Sequence, residues 1–92
     1  MEFLVKFIVT VPRGVEASEV EKRRAEETRA AAELVRRGHL RRLWNGDDGS
    51  ILGLYRASSR HALDALLADL PLRPWMTITV IKLGAHPSDP GQ

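Results

Sequence analysis

The chain contains no cysteine, which excludes a disulfide framework and any chemistry that needs a thiolate. It also has no apolar run that approaches the roughly 20 residues needed to cross a bilayer. Its three histidines, His39, His61 and His86, are scattered, and their spacing is not that of metal ligands. We therefore expect a soluble cytoplasmic protein with no membrane contact and no bound metal.

A strong excess of charge is also missing. The formal net charge is only +2, although the basic residues gather at residues 22–24 and again between Arg36 and Arg42. A solvated helix face and a capped helix end explain these clusters without a nucleic-acid partner. The RNA-recognition fold places several aromatic residues on its third strand, whereas the corresponding segment here offers only Tyr55. We expect no nucleic-acid binding.

The pattern of apolar residues predicts four strands and two helices in a single domain of 92 residues. Alternation predicts strands, and a 3.6-residue period or Ala/Glu/Arg-rich composition predicts helices. The predicted strands are residues 2–11, 39–44, 51–57 and 75–83, and the predicted helices are residues 16–37 and a segment capped by Ser58 or Ser59. The order β-α-β-β-α-β predicts an α+β, ferredoxin-like fold, with a four-stranded antiparallel sheet and both helices on one face. We place the domain at residues 1–84 and an irregular tail at residues 85–92.

The side of the sheet away from the helices is not polar. The fourth strand offers Trp75, Ile81 and Leu83 to one side and Met76, Ile78 and Val80 to the other. An open sheet face with so much apolar area normally contacts another subunit. The sequence therefore predicts a homo-oligomer.

Glu26 and Glu27 are adjacent in the first helix, but helical geometry places their side chains in different environments. At about 100° per residue, Glu27 returns to the apolar stripe of Val20 and Leu34, as does Arg24, while Glu26 points elsewhere. A charge on the inward stripe is unfavourable unless it is paired or used. Helical phase leaves two interpretations open: a structural Arg24–Glu27 ion pair, or a carboxylate of tunable pKa at an apolar pocket with a cation beside it for an anionic ligand.

Other groups of polar or aromatic residues are less informative. Ser58, Ser59 and His61 favour a helix cap over a catalytic triad, and residues 45–50 favour a hairpin turn over a calcium loop. Trp44 and Trp75 are more typical of a core or an interface than of ligand stacking. His86 could bond to a backbone group or approach the pocket of a neighbouring subunit.

Several segments resemble the muconolactone isomerase family over nearly the whole chain. The most specific is the run LPLRPWM (Leu70 to Met76), followed by a strand and a terminal His-Pro-Ser (residues 86–88). The opening strand and RRLW (Arg41 to Trp44) are similar as well, and so is the first helix, in which a basic residue stands three positions before Glu27.

This resemblance implies a ferredoxin-like subunit in a ring-like homo-oligomer, often a decamer, with active sites at subunit contacts. The implied reaction needs no cofactor and converts muconolactone, a lactone substrate from bacterial catechol breakdown, into the 3-oxoadipate enol-lactone. The resemblance assigns the acid/base role to Glu27 and a cationic position to Arg24. We expect Arg24, Lys6, Trp44, Trp75 and His86 to contact the substrate.

The chain departs from the family after Trp44. Family members usually continue with an arginine and a longer segment that contains a tyrosine and an asparagine, whereas this chain has the short acidic turn Asn45–Ser50. A relative that acts on a different lactone or enone in secondary metabolism is therefore an alternative. A cofactor-free oxygenase or cyclase for aromatic polyketides and a non-catalytic oligomeric binding protein are two further alternatives.

Overall fold

Strands and helices follow one another in the predicted order in the computed structural model, which describes residues 1–91. The elements are β1 (Glu2–Val9), α1 (Ala17–Arg36), β2 (Leu40–Asn45), β3 (Ile51–Arg56), α2 (Arg60–Ala68) and β4 (Met76–Leu83). The four strands form one antiparallel sheet in the order β2-β3-β1-β4. The predicted ferredoxin-like fold is thus confirmed.

The sheet has an inner face, which the helices cover, and an open face. On β1 the inner face carries Phe3, Val5 and Phe7, all buried. They share one apolar core with residues of both helices, among them Leu34 of α1 and Leu63 of α2. Both helices therefore pack on the same side of the sheet, as the order of the elements predicts.

The open face is formed by the residues that alternate with the inner-face residues along each strand. Leu4, Lys6 and Ile8 of β1 point to this side, because neighbouring side chains of a strand alternate between the two faces. Several large apolar side chains on it are exposed in the single chain: Ile8, Trp44, Ile81 and Leu83.

Strand boundaries differ from the sequence prediction by one or two residues: β2 spans Leu40–Asn45 where the sequence predicts residues 39–44, and β3 ends at Arg56, one residue earlier than predicted. β1 ends at Val9 and not at Val11, because its pairing with β4 stops at the Val9–Met76 pair. β4 begins at Met76, one residue later than predicted, since Arg73–Trp75 form a short 3₁₀ turn. Pro74 suits such a turn because it donates no backbone hydrogen bond and its φ angle is preset.

The helix ends follow local signals. Ser59 is the N-cap of α2, where its side chain accepts a hydrogen bond from the Ala62 N–H at 3.0 Å. After α1, Gly38 adopts a φ of +81°, a left-handed conformation that favours glycine. Among residues 1–91, neither helix has the length and apolar character required to cross a membrane. Residues 84–91 contain no helix or strand, and Gln92, the end of the predicted tail, lies outside the described residues.

Candidate active site

A cavity of about 260 Å³ lies between α1, the inner face of the sheet and the segment that precedes β4. Its apolar walls include Phe7, Leu40, Leu43, Ile51, Leu72 and Met76. The polar residues that border it are Arg24, Glu27, Thr28 and Tyr55. Since the Thr28 hydroxyl already donates to the Arg24 carbonyl at 3.0 Å, the groups left for a ligand are a carboxylate, a guanidinium and a phenol.

Glu27 is half-buried at this cavity, and one of its oxygens is held by the backbone. Its Oε1 accepts a hydrogen bond from the Leu72 N–H at 2.9 Å. Burial raises the pKa of Glu27 above its ordinary value, and the hydrogen bond from Leu72 opposes part of that rise. A carboxyl group with a raised pKa is suited to take up and return a proton near neutral pH.

The segment that presents Leu72 is attached to α1 by a second residue, Arg23. Its Nη1 donates to the Pro71 carbonyl at 3.2 Å, and its guanidinium lies 4.8 Å from the centre of the Trp75 ring. Its Nε also pairs with Glu19 at 3.0 Å. Arg23 and Glu27 are four residues apart, so one face of α1 holds the segment at two points. Sequence reasoning missed Arg23 because its partners are backbone and aromatic groups about 50 residues away in the chain.

Arg24 borders the same cavity but is exposed at its rim. No ion pair joins it to Glu27 within residues 1–91, so the interpretation of these two residues as a structural pair does not apply to this chain. Arg24 therefore keeps its charge available to a ligand.

The other predicted contact residues do not line this cavity within one chain. Lys6 lies on the open face and pairs with Asp48 at 3.0 Å. Trp44 also faces that side, with the Arg42 guanidinium 5.1 Å from its ring centre, and Trp75 packs against Arg23. His86 is exposed in the tail, where its Nδ1 accepts from the Ser88 N–H at 2.9 Å. Their contact with substrate stays a prediction.

Tyr55 is a cavity residue that the sequence analysis did not select. It lies on the inner face, two residues after Gly53, and is only 3% exposed. The available signal was its phase in β3, which places it on the side of Phe3 and Phe7.

A larger open groove of about 480 Å³ lies elsewhere, among Met1, Arg37, His39, Arg41 and Arg56. It is lined by cations and lacks a carboxylate, so it offers no base for removing a proton from carbon. His39 is occupied there by a hydrogen bond from its Nδ1 to the Arg56 carbonyl at 3.0 Å. Nor do residues 1–91 bring three metal-binding side chains together anywhere. The Glu27 cavity is therefore the candidate site.

Known proteins resemble the chain over almost its entire length. The family profile described as muconolactone delta-isomerase matches residues 1–89. The muconolactone delta-isomerase of Pseudomonas aeruginosa is 36% identical over 89 residues, which are 96% of this chain and 93% of that protein. The enzyme of the same name from Pseudomonas putida is 34% identical over the same shares of the two chains.

A solved structure agrees with the sequence relatives. A crystal structure of muconolactone isomerase superimposes with a TM-score of 0.90 at 32% identity and covers 100% of this chain and 97% of that chain. The profile match, the identities and the shared fold extend over nearly all of the described residues. The chain therefore belongs to the muconolactone delta-isomerase family.

Proposed function

We propose that the protein converts muconolactone into the 3-oxoadipate enol-lactone, with Glu27 as the acid/base. Its family makes the chain an isomerase enzyme. The observation that carries the assignment to Glu27 is that a half-buried carboxylate borders an apolar cavity and has one oxygen fixed by the Leu72 N–H. The other oxygen is then available for proton transfer.

The reaction requires one proton to move between two carbons of the lactone ring. The Glu27 carboxylate removes the proton from the ring carbon that bears the carboxymethyl group, and the electron pair of that C–H bond enters the conjugated system. The resulting dienolate carries negative charge on the lactone carbonyl oxygen. The Glu27 carboxylic acid then returns the proton to the carbon next to the carbonyl, which restores both the base and the lactone. A single carboxyl group serves both carbons if the cavity keeps bulk water away.

We assign Arg24 to the carboxylate of the substrate. It borders the cavity at its exposed rim and forms no ion pair with the acidic side chains of residues 1–91. A guanidinium binds a carboxylate through two parallel hydrogen bonds, which would orient the ring above Glu27.

The size of the cavity supports a small substrate. Pockets for drug-sized ligands usually measure about 300–1,000 Å³, and this one is smaller, at about 260 Å³. A single lactone ring fits this size better than the fused rings of an aromatic polyketide. We therefore prefer an isomerase of small lactones to an oxygenase or cyclase of that larger class.

We also propose that the protein is a homo-oligomer in which a second copy covers part of the open face. The support is the set of exposed apolar side chains on that face, which a second copy would bury. Sedimentation velocity measures the assembly directly. A protein that stays monomeric at micromolar concentration would contradict this part of the proposal, and the decamer is one specific outcome.

The experiment for the reaction is incubation of the oligomer with muconolactone in deuterated water, followed by NMR. We expect the enol-lactone to form, and the fraction of deuterium at the ring carbon next to the carbonyl measures how often the proton held by Glu27 exchanges with solvent before it is returned. Glu27→Gln keeps the size of the side chain and an oxygen for the Leu72 N–H, so its expected loss of about 10²–10⁴-fold reflects the missing base. Glu26→Gln is the matched control and should keep full turnover.

Two results would change the assignment. Full isotope exchange by the Glu27→Gln variant would remove this residue from the mechanism. If the folded wild-type protein did not convert muconolactone, the function would shift to a family relative that acts on a different lactone or enone. The short Asn45–Ser50 turn is the sequence feature that favours this second candidate.

A further inference from the structure

Tyr55 is the single tyrosine of the chain, and its ring is fixed at the cavity that Glu27 borders. The Phe7 ring meets it edge-on, with 6.0 Å between ring centres and 61° between planes. A Cβ atom at Gly53 would lie only 2.5 Å from Cε1 of Tyr55, so the ring occupies the space that this glycine leaves open. The phenol is therefore held in one place by its neighbours in the sheet.

The hydroxyl of this buried side chain has no partner in the protein. No hydrogen bond within residues 1–91 involves it, although buried tyrosine hydroxyls usually find a partner. The same residues contain no fully enclosed side-chain oxygen or nitrogen that lacks a hydrogen bond. The phenol oxygen must therefore border open space, and the space that Tyr55 lines is the cavity.

The phenol stays protonated over the whole range in which Glu27 titrates. Burial raises the pKa of Tyr55, and the negative charge of Glu27 raises it further. Tyr55 is thus an O–H donor at the cavity and does not compete with Glu27 for the substrate proton.

We propose that Tyr55 is a catalytic residue that donates a hydrogen bond to the lactone carbonyl oxygen. This role rests on the proposed function. When Glu27 takes the ring proton, the electron pair moves through the double bond to that oxygen, and the Tyr55 O–H stabilises the charge without giving up its proton. When Glu27 returns the proton, the carbonyl forms again and the hydrogen bond weakens. The site then divides its tasks, with Arg24 on the carboxylate of the substrate and Tyr55 on the dienolate oxygen.

Tyr55→Phe tests this role because it removes only the oxygen. Loss of one donor to a developing oxyanion typically lowers kcat by about 10²–10³-fold. We expect a loss of this size in kcat, a smaller change in KM, and a thermal unfolding midpoint close to that of the wild type. Thr79→Val replaces a hydroxyl on the open face by a methyl group and serves as the control, with unchanged kcat. A Tyr55→Phe variant that folds and turns over as fast as wild type would overturn the proposal.

A second measurement does not depend on turnover. Because Tyr55 is the only tyrosine, growth on 3-fluorotyrosine labels this position alone. In a labelled Glu27→Gln variant, muconolactone should bind without reacting and shift the ¹⁹F resonance. Saturable binding of muconolactone that leaves the resonance unmoved would overturn the role of Tyr55. If the wild-type protein turns over muconolactone, either negative result refutes only the role of Tyr55 and leaves the proposed function in place. If the wild-type protein does not turn over muconolactone, the proposed function itself is refuted.

Discussion

The inner and open faces of the sheet hold carboxylates in opposite environments. Glu27, above the inner face, has a raised pKa because burial disfavours its charge. Asp48, near the open face, has a lowered pKa because Ser50 and Lys6 donate hydrogen bonds to it. A carboxylate that accepts several hydrogen bonds is a weak base, because they stabilise its charged form. A partly desolvated carboxylate binds a proton more tightly, because burial disfavours its charge. The comparison teaches that the inner face holds a carboxylate whose environment favours its protonated form, whereas Asp48 near the open face stabilises a turn in its ionised form.

The two faces also differ in how deeply they bury apolar side chains, and this difference predicts the largest effect on stability. Leu63 is fully buried in the core beneath the helices, and Leu83, on the open face, is 38% exposed. Leu63→Ala should lower the free energy of unfolding by about 2–5 kcal/mol, while Leu83→Ala should have a much smaller effect on the dissociated chain. Chemical denaturation at low protein concentration measures both. Equal losses would mean that the open face is packed as tightly as the inner face, which would break the comparison.

The titration of Glu27 predicts an intermediate effect that depends on pH. A raised pKa means that the folded chain binds this proton more tightly than the unfolded chain does. The ionised carboxylate therefore lowers the free energy of unfolding above the pKa of folded Glu27, and this loss disappears as the pH falls toward the ordinary value of 4.5. Glu27→Gln should be more stable than wild type at neutral pH and should lose this advantage in acid.

Urea denaturation of the two proteins from pH 4 to pH 8, a range of about four units, measures this difference. The kcat/KM of the wild type should fall as the pH drops through the pKa of Glu27, since the base is then protonated. If Glu27→Gln were instead less stable than the wild type at neutral pH, with a deficit that shrinks in acid, the carboxylate would be satisfied, as Asp48 is, and the contrast between the two faces would be wrong.

The smallest effect is expected at Lys6. This residue forms an exposed ion pair with Asp48, and such pairs contribute about 0–1 kcal/mol. Lys6→Met should change the free energy of unfolding by less than about 1 kcal/mol. Lys6 lies across the sheet from the cavity of its own chain, so KM for muconolactone stays unchanged unless the predicted substrate contact is made in a neighbouring subunit. Steady-state kinetics check this. A large rise in KM would instead place Lys6 in the cavity of a neighbouring subunit.

Much of the fold could be predicted because its signals are local. Alternation in β1 identifies Phe3 and Val5 as inner residues, and helical phase places Glu27 on the stripe of Leu34. The β4 boundary could not be predicted in this way. Trp75 has the composition of a strand residue, but its N–H is used in a turn by a bond to the Leu72 carbonyl at 2.9 Å. The β-propensity of a residue does not show whether its N–H will bond within a turn or within the sheet.

The candidate site was only partly predictable for a related reason. Glu27 and Arg24 lie on one helix, where spacing determines which side chains are neighbours. Arg23, Leu72 and Tyr55 act through contacts with distant parts of the chain, and Leu72 contributes a backbone N–H that any residue except proline would supply. No residue pattern distinguishes that donor from others.

By itself, the sequence determined the order of the elements, the two faces of the sheet and the helix position of the acidic residue. These properties follow from the periods of strands and helices, which depend on neighbours along the chain. Only the tertiary structure decided that Glu27 accepts a hydrogen bond from a backbone N–H, that it shares a cavity with a buried phenol, and that Lys6 does not line this cavity. The physical reason is that desolvation and hydrogen bonding depend on which segments the fold brings together. When two segments are 45 residues apart, as Glu27 and Leu72 are, their local sequences do not show that they are in contact.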